Sequence, residues 1–273
     1  VPRLKRENYF QVINSARQAN MNMLRVWGGG IYEEDVFYEL CDENGILVWQ
    51  DFMFACNMYP GDENFLESVR QEAIDNVVRL RNHPCIAIWC GNNEINEGWK
   101  HWGWQPQLGY SFKDSVEVWK NYLKLFHELL PEVIAKYDHQ RPYWPSSPSN
   151  GWGTDIAYRT GDVHYWGVWW GEEPFSMYEK KIGRFMSEYG FQGMPDLRTI
   201  SSFTHEEDRV IGSPVMQSHQ KHPRGTELIN TYMKRDYNAP AAFDDYVYVS
   251  QLVQAEGIRT ALEAHRRAKP YCM

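Results

Sequence analysis

"IAIWCGNNE", Ile86 to Glu94, is the stretch that decides the fold. Its first five residues are apolar, with β-branched Ile86 and Ile88, as in a strand covered on both faces. It then runs into Asn92, Asn93 and Glu94, groups that are costly to bury unpaired. In parallel sheets packed between helices, strands read as apolar runs, and their carboxyl ends open onto the loops that carry chemistry. The stretch therefore predicts a buried parallel strand that delivers polar side chains into a pocket.

Working outward, the same rhythm recurs on both sides. "MLRVWG" (Met23–Gly28) and "ILVWQDF" (Ile46–Phe52) read as earlier strands. "RPYWPSS" (Arg141–Ser147), "DVHYW" (Asp162–Trp166) and "RFMSEYG" (Arg184–Gly190) read as later ones. Helical faces lie between them: Tyr9, Ile13 and Ala16; then Val36, Phe37, Leu40 and Cys41, closed by Gly45; then Leu66, Val69, Ala73, Val77 and Leu80, stopped by "NHP" at Asn82–Pro84. A further helix carries Val116, Trp119, Leu123, Phe126 and Leu130, with a break or kink expected at Pro131. Ser201 to Pro240 reads as polar and irregular, and Ser250 to Arg267 as a final helix.

Strands alternating with helices predict a parallel sheet wound in one direction. "WGGGIYEE" has three glycines but not the G-x-G-x-x-G spacing, and no phosphate-loop lysine follows, so nucleotide binding is disfavoured. The expected fold class is α/β, a (β/α)8 TIM barrel, forming one domain over residues 1–273. The strand ends named by this reading are Trp27, Asp51, Glu94, Ser146, Tyr165 and Glu188.

A chain of 273 residues with 43% hydrophobic and 23% charged residues is ordinary for a globular protein. Its net charge of −8 leaves no basic face for nucleic acid or an anionic membrane surface, so neither partner is expected. No run of 18 apolar residues occurs, and "VPRLKRENYF" is not a signal peptide. Twelve Trp and 17 Tyr, many beside Gly, Asn and Pro, suggest either stacking surfaces for flat apolar faces such as sugar rings or an ordinary aromatic core. Five cysteines form no disulfide framework, and Cys41, Cys85 and Cys90 read as buried thiols. His219 and His222 have metal-like spacing but sit in a polar stretch that reads as a solvated loop, so no metal is expected. No H-E-x-x-H or G-x-S-x-G motif is present.

Two strand ends carry a glutamate in an aromatic setting, Glu94 in "GNNE" and Glu188 in "SEYGFQ". Either alone reads as well as a solvated acid. Together they are the minimal equipment for glycosidic hydrolysis, with one protonated to assist the leaving group and one ionised to attack C1. His164 reads as a pocket residue or as a strand cap.

"NMLRVWGGGIYE", "LVWQDFMFACNMYP", "WCGNNE" and "FMSEYGFQGMP" closely resemble the catalytic barrel of β-mannosidases in the second family of glycoside hydrolases, in family order from about Pro2 to Pro195. The resemblance implies Glu94 as general acid/base and Glu188 as nucleophile. It implies Asn93 as the amide on the sugar 2-hydroxyl, Arg25 as the arginine that keeps the nucleophile ionised, and Tyr165 as the tyrosine contacting the nucleophile. Trp27, Trp102 and Trp152 would be walls of the sugar pocket. It further implies an incomplete barrel, strands two to seven, with the first and eighth strands and β-sandwich domains lying outside the chain. The expected activity is that of a retaining exo-β-mannosidase needing no cofactor, with a β-mannoside or oligosaccharide as substrate. A periplasmic, secreted or lysosomal location is expected in preference to a cytoplasmic one. A related β-galactosidase, β-glucuronidase or exo-β-glucosaminidase remains open, as does a non-catalytic carbohydrate-binding barrel. Retention of Glu in "NNE" favours mannose over chitosan-type sugars.

Overall fold

The computed structural model describes residues 3–273; Val1 and Pro2, where the resemblance begins, lie outside the described residues. The chain divides into two compact units, one ending at Asn150 and the other beginning at Gly151.

The first unit is a four-stranded parallel sheet of β1 (Met23–Val26), β2 (Leu47–Asp51), β3 (Ile86–Cys90) and β4 (Tyr143–Trp144), in that spatial order. Each strand adds beside its predecessor, without the reversal that marks a doubly wound sheet. The helices between them follow the apolar spacing. In α1 (Arg6–Gln18) the buried residues are Tyr9, Ile13 and Ala16, the expected face. In α2 (Asp35–Asn44) Phe37, Tyr38, Leu40 and Cys41 are buried, Tyr38 going deeper than the expected Val36. Gly45 ends α2 at φ +65°, a left-handed cap that glycine adopts without a Cβ penalty. In α3 (Glu63–Leu80) Val69, Ala73, Val77 and Leu80 are buried, and Asp62 caps its first turn by accepting from the Phe65 N–H. These faces close over Val48, Phe52, Ile86 and Trp89 in one core.

Pro131 acts one turn before its own position. A helix over Phe112–Leu123 passes into a π-helical stretch, Lys124–Leu129, before resuming as Leu130–Tyr137. Widening the turn accommodates the ring and the missing N–H without breaking the rod.

The second unit pairs β5 (Val163–His164) in parallel with β6 (Met186–Glu188) and packs them among helices. Its core gathers Tyr165, Trp169, Tyr178, Phe191, Tyr232 and Val253. The irregular reading of Ser201–Pro240 is corrected here, because helices form over Pro214–His219 and Gly225–Asp236. In the longer of these, Leu228, Ile229, Tyr232 and Met233 make a narrow buried stripe that the polar flanks conceal. The final helix also begins earlier than expected and runs Phe243–Arg267. No helix among the described residues is long and apolar enough to cross a membrane. The architecture is thus α/β with parallel strands throughout.

Candidate active site

At the carboxyl end of β3 the two buried amides are fully engaged. Asn92 donates from Nδ2 to the Pro145 carbonyl at 2.8 Å, while its Oδ1 accepts from the Ser146 hydroxyl at 2.8 Å and the Ile95 N–H at 3.1 Å. One side chain thereby ties the end of β3 to the segment after β4 and to the start of α4 (Ile95–His101). The main chain is held equally firmly: Asn93 N–H donates to the Phe54 carbonyl, Glu94 N–H to Ser147, and Cys56 N–H to Asn93. Glu94 sits at the amino end of α4 with φ +60°. That left-handed backbone is uncommon for a residue with a side chain and persists only where the surroundings over-determine it. These bonds do so.

Around Glu94 the first unit assembles a polar network. The Asn93 Nδ2 donates toward Glu94 Oε2 at 3.3 Å and toward Cys56 Sγ at 3.4 Å, and the Cys56 thiol reaches Glu94 Oε2 at 3.5 Å. The Asn93 Oδ1 accepts from Arg25 Nη2 at 2.8 Å. Arg25 also grips Asp51 with two donors, Nε at 3.3 Å and Nη2 at 2.8 Å. Asp51 is fully buried and accepts as well from Trp49 Nε1 at 2.8 Å and Gly28 N–H at 3.0 Å. Trp27 follows β1 and is half exposed, and a Cβ at Gly29 would fall within its ring, so only glycine lets the indole lie there. Trp102, at the far end of α4, is partly exposed and meets Trp104 edge to face.

In the second unit, Glu188 ends β6 and His164 ends β5, the two being cross-strand partners in register. Accordingly His164 Nδ1 lies 3.3 Å from Glu188 Oε2. The other ring nitrogen points toward Asp162 at 3.9 Å, whose carboxylate also accepts from the Ser187 hydroxyl at 2.6 Å. His164 and Asp162 are buried, so the imidazole is fixed between two carboxylates. Tyr165 donates its main-chain N–H to the Glu188 carbonyl at 2.8 Å, and its hydroxyl donates to Glu173. Burial, with Glu173 alongside, raises the phenol's pKa far above its usual value, so Tyr165 stays protonated. Trp152 packs edge to face against Tyr165 at 6.0 Å.

The first unit therefore brings together Arg25, Asn93 and Glu94, with Trp27 and Trp102 on the elements around them. The second brings together Glu188, Tyr165 and Trp152. His164, left undecided between pocket and cap, stands beside Glu188. The reading of the sequence named Asp51 only as a strand end and gave Cys56 no role; both touch the network directly. Of the "HQKH" histidines, exposed His219 stacks on Phe203, and His222 receives the Trp169 indole N–H at 3.2 Å.

A search of protein-family models finds no match. Individual relatives are clear. The chain is 36% identical over 293 residues to β-mannosidase B of Thermothelomyces thermophilus, covering 100% of this chain and 33% of that protein. It is 38% identical over 279 residues to β-mannosidase of Capra hircus, covering 94% of this chain and 30% of that one. Among solved structures, β-D-mannosidase from Dictyoglomus thermophilum superposes with a TM-score of 0.89 at 44% identity, over 99% of this chain and 32% of its own. The chain thus spans about a third of the length of the curated relatives it matches. Likeness of this degree along essentially all of the chain bears out the resemblance carried by its motifs, and the chain belongs to the β-mannosidase family.

Proposed function

We propose that this chain is the catalytic-barrel segment, strands two to seven, of a retaining exo-β-mannosidase that removes terminal non-reducing β-D-mannose. The observation that carries the reading is Glu94, held at a parallel strand end beside a locked Asn93, in a chain similar to β-mannosidases along its whole length. The one-way strand order β1 to β4 supports the barrel. The missing first and eighth strands and the β-sandwich domains fall to sequence beyond this chain, in keeping with the greater length of the relatives. A periplasmic, secreted or lysosomal setting goes with this reading.

In the mechanism, the Glu188 carboxylate attacks the anomeric carbon while Glu94 gives its proton to the departing oxygen. Water, deprotonated by Glu94, then releases mannose from the glycosyl-enzyme with net retention. Asn93 hydrogen-bonds the 2-hydroxyl, and Arg25 supplies positive charge that favours an ionised nucleophile. His164 fixes the rotamer of Glu188 through its 3.3 Å contact. Tyr165 shapes the wall beside Glu188 through its backbone bond and ring, its hydroxyl being committed to Glu173. Trp27, Trp102 and Trp152 supply apolar faces for the sugar. No step calls on a cofactor.

The test is an assay of the full-length protein on aryl β-mannoside, galactoside, glucuronide and glucosaminide. Turnover of the mannoside alone, with β-mannose as first product, is expected. Preference for another sugar would replace the substrate assignment, and no turnover of any would favour a binding barrel. In Glu94→Ala, an activated dinitrophenyl mannoside should still form the glycosyl-enzyme while a poor leaving group is not cleaved. Equal loss on both would remove Glu94 from the acid role.

A further inference from the structure

Asp51 presents two oxygens to four donors. Oδ1 accepts from Arg25 Nε and Trp49 Nε1; Oδ2 accepts from Arg25 Nη2 and Gly28 N–H. The carboxylate is completely buried, and the guanidinium is largely so. A two-point grip of this kind fixes the plane of a guanidinium, not merely its charge. The Trp49 ring also lies under the guanidinium, 5.8 Å from its carbon, adding a second constraint on that plane.

The same Nη2 that bonds Asp51 also bonds the Asn93 Oδ1. Because a guanidinium can only donate, the amide must turn its oxygen to Arg25 and its NH2 toward Glu94 and Cys56. Asp51 lies outside the group that meets the sugar in the proposed reaction, yet it decides how Arg25 is held. Arg25 in turn decides which edge Asn93 shows.

We infer that Asp51 is a positioning residue that sets the facing of the Asn93 amide through Arg25, and so governs recognition of the sugar 2-hydroxyl. The inference rests on the proposed role of Asn93. It makes a sharp statement about Asp51→Asn. Either orientation of the new amide would aim its NH2 at two donors: Arg25 Nε with Trp49 Nε1, or Arg25 Nη2 with Gly28 N–H. The substitution keeps the volume but cannot keep the grip, so the guanidinium rotates and Asn93 is no longer tied.

The experiment is a double-mutant cycle in the full-length enzyme with Asp51→Asn, Asn93→Ala and the double variant. Each is assayed on an aryl β-mannoside and its 2-deoxy analogue. Asp51→Asn should lower kcat/KM on the mannoside about tenfold to hundredfold, the scale of one hydrogen bond involving a charged group. On the 2-deoxy substrate the loss should be clearly smaller, confined to what a displaced Arg25 costs the nucleophile. In the Asn93→Ala background, adding Asp51→Asn should cost no more than it costs the parent on the 2-deoxy substrate. Equal losses on both substrates, or additive losses in the cycle, would overturn the inference. If Asn93→Ala itself loses equally on both substrates, the 2-hydroxyl role of Asn93 fails, while the cycle still reports whether Asp51 acts through Asn93. Should Asp51→Asn not fold, Trp49→Phe removes one of the four donors and the larger ring under Arg25. It should show the same selectivity for the 2-hydroxyl substrate to a smaller extent, and a loss indifferent to the 2-hydroxyl would overturn the inference there too.

Discussion

Asn92→Ala tests how the strand end is built. In the folded chain this side chain makes three hydrogen bonds, at 2.8, 2.8 and 3.1 Å, to Pro145, Ser146 and Ile95. The site is buried, so truncation removes three hydrogen bonds at once, although the Ser146 hydroxyl keeps Tyr122 beside it. At roughly 1 kcal/mol each, the loss is about 3 kcal/mol. Since 1.4 kcal/mol is tenfold in an equilibrium constant, local opening should rise about a hundredfold. The assay is amide hydrogen exchange by mass spectrometry on peptides covering residues 86–101, where local opening is read directly without requiring the whole protein to unfold in one step. Exchange should accelerate by about that factor in these peptides, while peptides from α1 remain at parental rates. Because Glu94 follows two residues later in a left-handed backbone, kcat should fall as well. Exchange unchanged within about threefold would mean that Asn92 does not join these three segments, and the reasoning about the strand end would be wrong.

Two further outcomes follow from burial. Of the five cysteines only Cys56 is exposed, and burial pushes the Cys41 thiol up to about 12 and raises those of Cys85 and Cys272. Titration of the native chain with a thiol reagent should therefore modify one cysteine quickly, and Cys56→Ser should abolish that reaction; two or more fast thiols would contradict the packing. His265 is held neutral because burial lowers its pKa to about 4, its Nε2 is buried with no hydrogen-bond partner among the described residues, and its ring meets Tyr189 at 4.7 Å. The unfolded chain, where the imidazole titrates near 6.5, binds the extra proton first, so stability should fall as pH drops from about 6.5 toward 4, by about 2–3 kcal/mol. His265→Phe should flatten that part of a melting-temperature-versus-pH curve, and an unchanged slope would remove His265 as its source.

Local signals carried much of the fold. The spacing of Tyr9, Ile13 and Ala16 and the glycine at Gly45 report their own surroundings, because a helix face and its cap are settled within a few residues. The strands after β3 are shorter than the stretches that suggested them: of Arg141–Ser147 only Tyr143–Trp144 forms strand, between two prolines that donate no N–H, and Ser147 adds an isolated bridge to Asn93. The helix Gly225–Asp236 escaped because its four buried large apolar residues sit among polar and charged neighbours that solvate the rest of its surface. The placing of Asn93, Glu94 and Glu188 at strand ends was legible, because each comes within a few residues of an apolar stretch. The contacts of Asp51 and His164 were not legible, since these depend on register across the sheet. Arg25 pairs with Trp49, which puts Asp51 within reach of the guanidinium, and His164 pairs with Glu188. No spacing along the chain encodes such a partner.

The central claim, a covalent glycosyl-enzyme on Glu188, is tested most directly by trapping it. The full-length enzyme is incubated with an activated 2-deoxy-2-fluoro-β-mannoside, which slows breakdown of the intermediate more than its formation, then digested and sequenced by mass spectrometry. The account predicts one 2-fluoromannosyl unit per chain, on Glu188 within "FMSEYGFQ". An adduct on any other residue, or turnover of the parent mannoside that first yields α-mannose, would contradict it.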